Sequence, residues 1–149
     1  MVNNLEKYVD LLKRNDLKVT PQRLIILQYL TSHHNHPTAE EIYETLKKKN
    51  PSLSKTTVYN NLETLTNAGI LYRLTICPTE HRYDVNTEMH HHFICKKCGM
   101  IFDIHFKCPN VEKIAKQVTS KGHRLQEVHG YFKGICKDCI EQKGRNQHQ

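Results

Sequence analysis

Along the first part of the chain, apolar residues recur at helical spacing. Leu5, Tyr8, Val9 and Leu12 fall at i, i+3, i+4 and i+7, which predicts an amphipathic helix over Asn4 to Lys13. Thr20-Pro21 supplies an N-cap followed by proline at the first helical position, opening a strongly apolar helix, QRLIILQYL, to about Leu30. The loop SHHNHP ends at His36-Pro37, where proline is expected to hold the preceding residue extended. Thr38 and Glu41 have capping-box spacing and open a short helix carrying Ile42, Tyr43 and Leu46, which ends in the polar run KKKN. Ser54 caps a fourth helix, KTTVYNNLETLTNA, with Val58, Leu62 and Leu65 on one face and Gly69 just past its end.

From Ile70 the pattern shortens. ILYRLTI and HRYDV read as two strands around a turn at Cys77-Pro78-Thr79-Glu80. Helices followed by a hairpin form the layout of a winged helix-turn-helix. Its recognition helix would begin at Ser54 and enter the major groove by its N-terminal end. The polar side of that helix carries Lys55, Thr56, Thr57, Tyr59, Asn60 and Asn61. Such side chains hydrogen-bond phosphates and base edges, and Lys55 stands at the helix start, where phosphate is already favoured. With Ser54 and with Arg23 of the apolar helix, they are the candidate DNA contacts. A merely solvated helix face is the plain alternative; the short capped helix before it and the wing after it favour DNA.

The stretch His81 to Gly99, HRYDVNTEMHHHFICKKCG, holds a carboxylate, three histidines and a Cys-x-x-Cys pair. Read as a strand, it sends His90 and His92 to one face and His91 to the other. MIFDI follows as a short strand carrying Asp103. Pro109 then opens a helix with Val111, Ile114, Ala115 and Val118 at helical spacing, stopped by Gly122, and RLQEVHGYFKGI reads as one or two strands ending at Cys136. The expected organisation is α+β: a winged-helix DNA-binding domain at 1–83, a hinge about 80–88, a small metal-binding α/β dimerisation domain at 84–140, and a polar tail at 141–149. The second domain is too thin to bury both faces of its sheet alone, so a homodimer is expected.

Composition narrows the compartment and the partners. With 149 residues and a hydrophobic fraction of 38%, the chain is long enough for one domain or two small ones. No apolar run of about 18 residues occurs, and MVNNLEKYVDLLKRN lacks the apolar stretch of a signal peptide, so no membrane span and a cytoplasmic location are expected. Thiols stay reduced there, and the six cysteines and eleven histidines read as metal ligands before disulfides. A net charge of +7 permits a nucleic-acid partner. It is spread out, however: residues 1–80 carry a net +2 and residues 81–149 a net +5. Charge alone is weak evidence for DNA.

Cys95-Lys-Lys-Cys98 and Cys136-Lys-Asp-Cys139 supply four thiolates in two knuckles, which suit tetrahedral Zn²⁺. The 37 residues between the pairs exceed a zinc-ribbon gap, so the ion would staple the start of the small domain to its end. Cys77 and Cys108 have no such partner and read as ordinary thiols. Candidate ligands for a second ion are His36, Asp84, His90, His92 and Asp103. Spacing alone supports only His90 and His92; His36 as a loop residue and the aspartates as lysine partners are the plain alternatives. Three imidazoles and two carboxylates would suit Fe²⁺, Mn²⁺ or Zn²⁺, the oxygen share favouring iron or manganese. Four thiolates and two divalent ions cancel, so loading leaves the net charge near +7, and any switch has to be geometric. A mononuclear metal enzyme is the least supported reading, since HExxH and a nucleophile elbow are both missing.

VTPQRLIIL at 19–27, HPTAEEIY at 36–43, TTVYNNLETL at 56–65, AGI at 68–70, RYD at 82–84, HHHFICKKCG at 90–99 and the final Cys136-x-x-Cys139 together resemble the ferric uptake regulator (Fur) family of metal-dependent repressors. The resemblance covers nearly the whole chain and is greatest to the peroxide-sensing branch. It implies a homodimeric repressor on a palindromic double-stranded DNA operator, with structural Zn²⁺. It further implies regulatory Fe²⁺ or Mn²⁺ on His36, Asp84, His90, His92 and Asp103, of which His36 and His90 are the oxidisable ligands. The iron-sensing branch more often has glutamate where Asp84 and Asp103 stand; a repressor sensing iron, manganese or zinc level is the alternative. Met89 replaces a histidine of many iron-sensing relatives, which leaves their additional metal site incomplete, though His123 and His129 could contribute to one; Glu63 replaces a basic residue of several relatives, which leaves the operator sequence open.

Overall fold

The computed structural model of the protein describes residues 4–75, 79–105, 110–125, 128 and 130–145. The chain divides into two compact units, Met1–Thr87 and Glu88–Gln149.

The first unit is built from α1 (Asn4–Arg14), α2 (Pro21–Ser32), α3 (Ala39–Lys47) and α4 (Lys55–Asn67), followed by a hairpin of β1 (Tyr72–Leu74) and β2 (Arg82–Asp84). Local chemistry starts each helix. The Thr20 hydroxyl accepts from the Arg23 amide at 3.3 Å, with Pro21 in the first turn. Thr38 and Glu41 form a reciprocal box, 3.2 Å from the Glu41 amide to the Thr38 hydroxyl and 2.7 Å from the Thr38 amide to the Glu41 carboxylate. Ser54 accepts from the Thr57 amide at 3.1 Å. Gly69 takes φ +70° just beyond α4, a left-handed turn that ends the helix and that a side chain would resist. The apolar faces meet in one core whose centre is Leu12, Ile26, Leu27, Ile42, Val58, Leu62 and Leu65, all fully buried. Leu5, on the expected apolar face of α1, is exposed instead. In the hairpin Tyr72 pairs with Asp84 and Leu74 with Arg82, antiparallel; Cys77 and Pro78 lie outside the described residues.

One local expectation fails here. His36 is not extended before Pro37: its φ is +48°. The segment is held from outside, by the Arg82 guanidinium donating to the His36 carbonyl at 3.3 Å and the Tyr83 amide donating to the Pro37 carbonyl at 3.0 Å. A bridge between Thr38 and Arg82 completes a short added edge on β2. Tertiary contacts outweigh the proline's local preference, at a strain cost typical of functional positions.

The second unit carries a three-stranded sheet in the order β4 (Ile101–Ile104), β3 (His91–Cys95), β5 (Tyr131–Gly134), with α5 (Val111–Ser120) and α6 (Lys137–Arg145). β3 runs antiparallel to β4 and parallel to β5. The stretch 81–99 is therefore not one strand. It is β2 and β3 with a break between them, which begins where the Asp84 carboxylate accepts from the Asn86 amide at 2.8 Å and turns the chain. α6 was not anticipated. The second knuckle leads directly into it, the Ile140 amide donating to the Cys136 carbonyl at 3.0 Å, and it takes in 141–145, the start of the expected tail. α5 starts at Val111 and ends before Gly122, which has φ +82°; Cys108 and Pro109 lie outside the described residues. No α5 residue is fully buried. The buried centre of this unit is Cys95, Cys136 and Cys139, with Phe93 and Phe102 packed against it.

Leu62→Ala should lower the stability of the first unit by about 3 kcal/mol through lost burial and a residual cavity. Thr38→Ala should cost about 1 kcal/mol through the lost cap. Urea unfolding of both variants checks this; similar costs for the two would contradict the packing described.

Candidate metal centres and DNA-reading face

The two Cys-x-x-Cys knuckles come together through β3, the turn after it and the start of α6. The four sulfurs lie within 4.8 Å of one another. The Cys98 and Cys136 sulfurs stand 3.8 Å apart, the edge expected of a tetrahedron of sulfurs about 2.3 Å from a zinc ion. Their electrostatics are uneven. The Cys136 amide donates to Cys95 Sγ at 3.3 Å and, with the Cys98 and Lys97 amides, holds the Cys95 thiol down to about 6 against its burial. Burial and the neighbouring thiols push Cys139 up to about 12. One thiolate is preformed while another resists ionising beside it, so all four sulfurs become anionic together only around a cation. The donor set fits zinc.

In the first unit, the held backbone of His36 brings its side chain to Asp84. His36 Nε2 and Asp84 Oδ2 are 3.5 Å apart, and both residues are buried, at 3% and 7% exposure. The other Asp84 oxygen is occupied by the Asn86 amide.

In the second unit, His92 stands opposite Asp103 in the β3–β4 register, which puts both side chains on one face of the sheet. Asp103 Oδ1 lies 3.4 Å from His90 Nε2 and 3.7 Å from His92 Nε2. These separations, like the His36–Asp84 one, are long for hydrogen bonds. They match the edges between donors that share an ion about 2.1 Å away, about 3.0 Å in an octahedron and about 3.5 Å in a tetrahedron. His90 Nδ1 lies 2.7 Å from the Glu88 carbonyl, which can only accept. A proton on Nδ1 makes that bond, which leaves Nε2, on the Asp103 side, as the nitrogen that would serve an ion, the usual device for orienting an imidazole ligand. His91 behaves differently. Its Nδ1 accepts from the Gly130 amide at 3.0 Å and its ring meets Phe132 edge-on at 6.3 Å. A Cβ at 130 would lie 2.6 Å from that nitrogen, so any larger residue there would displace the His91 ring.

On α4, Lys55, Thr56, Tyr59 and Asn60 are exposed. The other candidates on this face are engaged within the helix: Ser54 is the cap, Thr57 bonds it at 2.7 Å between hydroxyls, and the Asn61 amide donates to the Thr57 carbonyl at 2.8 Å. The Arg23 guanidinium donates to the Lys18 carbonyl at 2.5 Å and braces the entry to α2. Three contributors carried no spacing signature. Arg82 ties the His36 backbone to Glu80 (2.7 Å) and Glu41 (3.6 Å). Lys18 enters only through its carbonyl. Glu40 is an ion-pair partner of Lys55.

His92→Ala should lose the second divalent ion while retaining zinc. His91→Ala should keep both ions and lower the unfolding midpoint, because it removes a buried packing and hydrogen-bonding group. Elemental analysis with thermal unfolding separates the two. Zinc affinity should also fall with acid, and the plot of its logarithm against pH should steepen by one proton below about 6, where the Cys95 thiolate protonates. Competition with a chromophoric chelator checks the slope.

The sequence model of the ferric uptake regulator family matches residues 14–132. The chain is 41% identical over 143 residues to the peroxide-responsive repressor PerR of Staphylococcus epidermidis, covering 94% of this chain and 93% of that protein. Among solved structures, the Campylobacter jejuni peroxide stress regulator matches with a TM-score of 0.67 at 35% identity, over 88% of this chain and 98% of that one. The Helicobacter pylori ferric uptake regulator, a protein with three functional metal-binding sites, matches with a TM-score of 0.69 at 28% identity, over 91% of each chain. With its α+β fold, its four-sulfur site and its histidine–aspartate clusters, the chain belongs to the ferric uptake regulator family.

Proposed function

We propose that this protein is a metal-dependent, DNA-binding transcriptional repressor that responds to peroxide. Structural Zn²⁺ sits on Cys95, Cys98, Cys136 and Cys139. Regulatory Fe²⁺ or Mn²⁺ is held by His36, Asp84, His90, His92 and Asp103. The observation that carries this reading is the pairing of buried imidazoles with a carboxylate in each unit, His36 with Asp84 and His90 and His92 with Asp103. Neither set offers more than three donors, so a five-ligand ion draws on both. Two carboxylates among five donors favour iron or manganese over zinc.

Bound there, Fe²⁺ would supply the electrons that cleave peroxide. The chain supplies the ligands and the target: His36 and His90 are the side chains that gain oxygen, and each is one donor of a minimal set. Losing either leaves four donors and weakens the tie between residues 1–87, the reading half, and residues 88–149, the pairing half. Exposed Ile114, Phe132, Ile135 and Ile140 support a second copy covering the second unit. A homodimer presents two recognition helices, and bivalent reading of a palindromic operator depends on their spacing. Metal and operator affinity are then reciprocally coupled. The peroxide response of the S. epidermidis and C. jejuni relatives supports this over metal-level sensing. No role as an enzyme is proposed, and a cytoplasmic location accords with reduced thiols; among the described residues, no helix is long and apolar enough to cross a membrane.

Operator binding should require Mn²⁺ or Fe²⁺ in addition to zinc. Peroxide should abolish binding of the iron form only, with a gain of one oxygen on the His36 or His90 peptide by mass spectrometry. An iron form that keeps its operator after peroxide, with both histidines unmodified, would leave metal level as the signal.

A further inference from the structure

The recognition helix is nearly devoid of charge. Among the 13 residues of α4, Lys55 is the sole cation and Glu63 the sole anion. The Lys55 ammonium is not simply extended into solvent. It forms a short ion pair with Glu40 of α3, both side chains about half exposed, and lies 6.0 Å from the centre of the Tyr59 ring. Hydrogen bonding to Glu40 raises the Lys55 pKa above its ordinary value. Glu40, Tyr59 and Glu63 also line, with Arg73 of β1, a cleft of about 550 Å³ between α3, α4 and the wing. Phosphate therefore meets a reading helix whose only cation is already taken, beside the further carboxylates of Glu63 and Glu80 and with Arg73 on the wing.

Attraction to phosphate is independent of sequence, whereas contacts to base edges carry the sequence information. A carboxylate that occupies the helix's only cation lowers the first without touching the second. We propose that Glu40 sets the DNA specificity of this protein by holding Lys55 away from phosphates. On DNA at large the pair stays closed and removes one phosphate contact. On the operator, Thr56, Tyr59 and Asn60 on the base edges fix the helix in a register where Lys55 reaches no phosphate, so the closed pair removes no contact there. Glu40 acts through Lys55 and is a positioning residue. The inference rests on the DNA-binding reading given above.

The test uses the full-length protein loaded with zinc and Mn²⁺. Wild-type protein first selects its duplex from a random-sequence pool. That duplex and a random duplex of equal length are then titrated over a range of salt with wild type, Glu40→Gln, Lys55→Gln and the double variant. Glu40→Gln should raise affinity for the random duplex roughly 2- to 5-fold, the range set by an exposed ion pair. It should steepen the salt dependence there by about 0.9, one phosphate contact, and change operator affinity less, so that the specificity ratio falls. The gain should vanish in the Lys55→Gln background. Unchanged random-duplex affinity, an equal gain on both duplexes, or a gain that persists without Lys55 would each overturn the role of Glu40. Failure of wild type to select any duplex would instead overturn the DNA-binding reading as well.

Discussion

Four sulfurs take the place of a hydrocarbon core in the second unit. Its strands are four or five residues long, no α5 residue is fully buried, and the buried cluster consists of Cys95, Cys136 and Cys139 with two half-buried phenylalanines. Among the described residues Ile101 is the one buried aliphatic side chain of this unit, so the four sulfurs carry much of its buried centre. A tetrathiolate ion does what packing elsewhere does, and it does so between positions far apart in sequence, the end of β3 and the start of α6. Without the cation, the buried thiols resist ionising together, as the upward push on Cys139 indicates. Metal binding and folding of this unit are thus coupled.

The staple has a consequence for the histidines on the same strand. β3 enters from the triple histidine and ends at Cys95, so fixing Cys95 fixes the register of everything before it. A slip of one residue would turn His92 away from Asp103 and exchange its face with that of His91. The parallel partner guards against this: the Gly130 amide donates to His91 Nδ1, and its carbonyl accepts from the His92 amide at 3.0 Å, an approach in which a Cβ at 130 would crowd the His91 ring at 2.6 Å. One side of the strand is thereby structural and the other chemical. The chemical side owes its alignment to the staple and to Gly130.

What was legible in the sequence was local or carried by spacing. Caps at Thr20, Thr38 and Ser54, the αL turn at Gly69 and the two knuckles each act within a few residues, so a short window reveals them. The His36 backbone escaped because its conformation is imposed by Arg82 and Tyr83, far along the chain, against the preference that Pro37 exerts locally. α6 escaped because EQKGR has no apolar period; the helix is launched by the knuckle rather than by an amphipathic face. The parallel pairing of β3 with β5 could not be read from strand pattern at all, since alternation gives no partner. The donor geometry around Asp103 likewise needed the register, although the residue types were evident beforehand.

The charge distribution then constrains how such a protein can regulate. The reading helix is close to neutral, its single lysine is paired, and most of the net +7 lies in residues 81–149. Loading four thiolates and two divalent ions changes that total by nothing. The regulatory ion itself adds only +2 to a zinc-loaded chain near +5, so a metal signal alters long-range attraction to DNA modestly, and it has little phosphate affinity on α4 to modulate. What remains is geometry: the spacing of two weakly charged readers, each dependent on short-range base contacts that fail abruptly with misalignment. Weak individual contacts are what make spacing decisive, because a strongly basic helix would hold DNA whether or not its partner was in place.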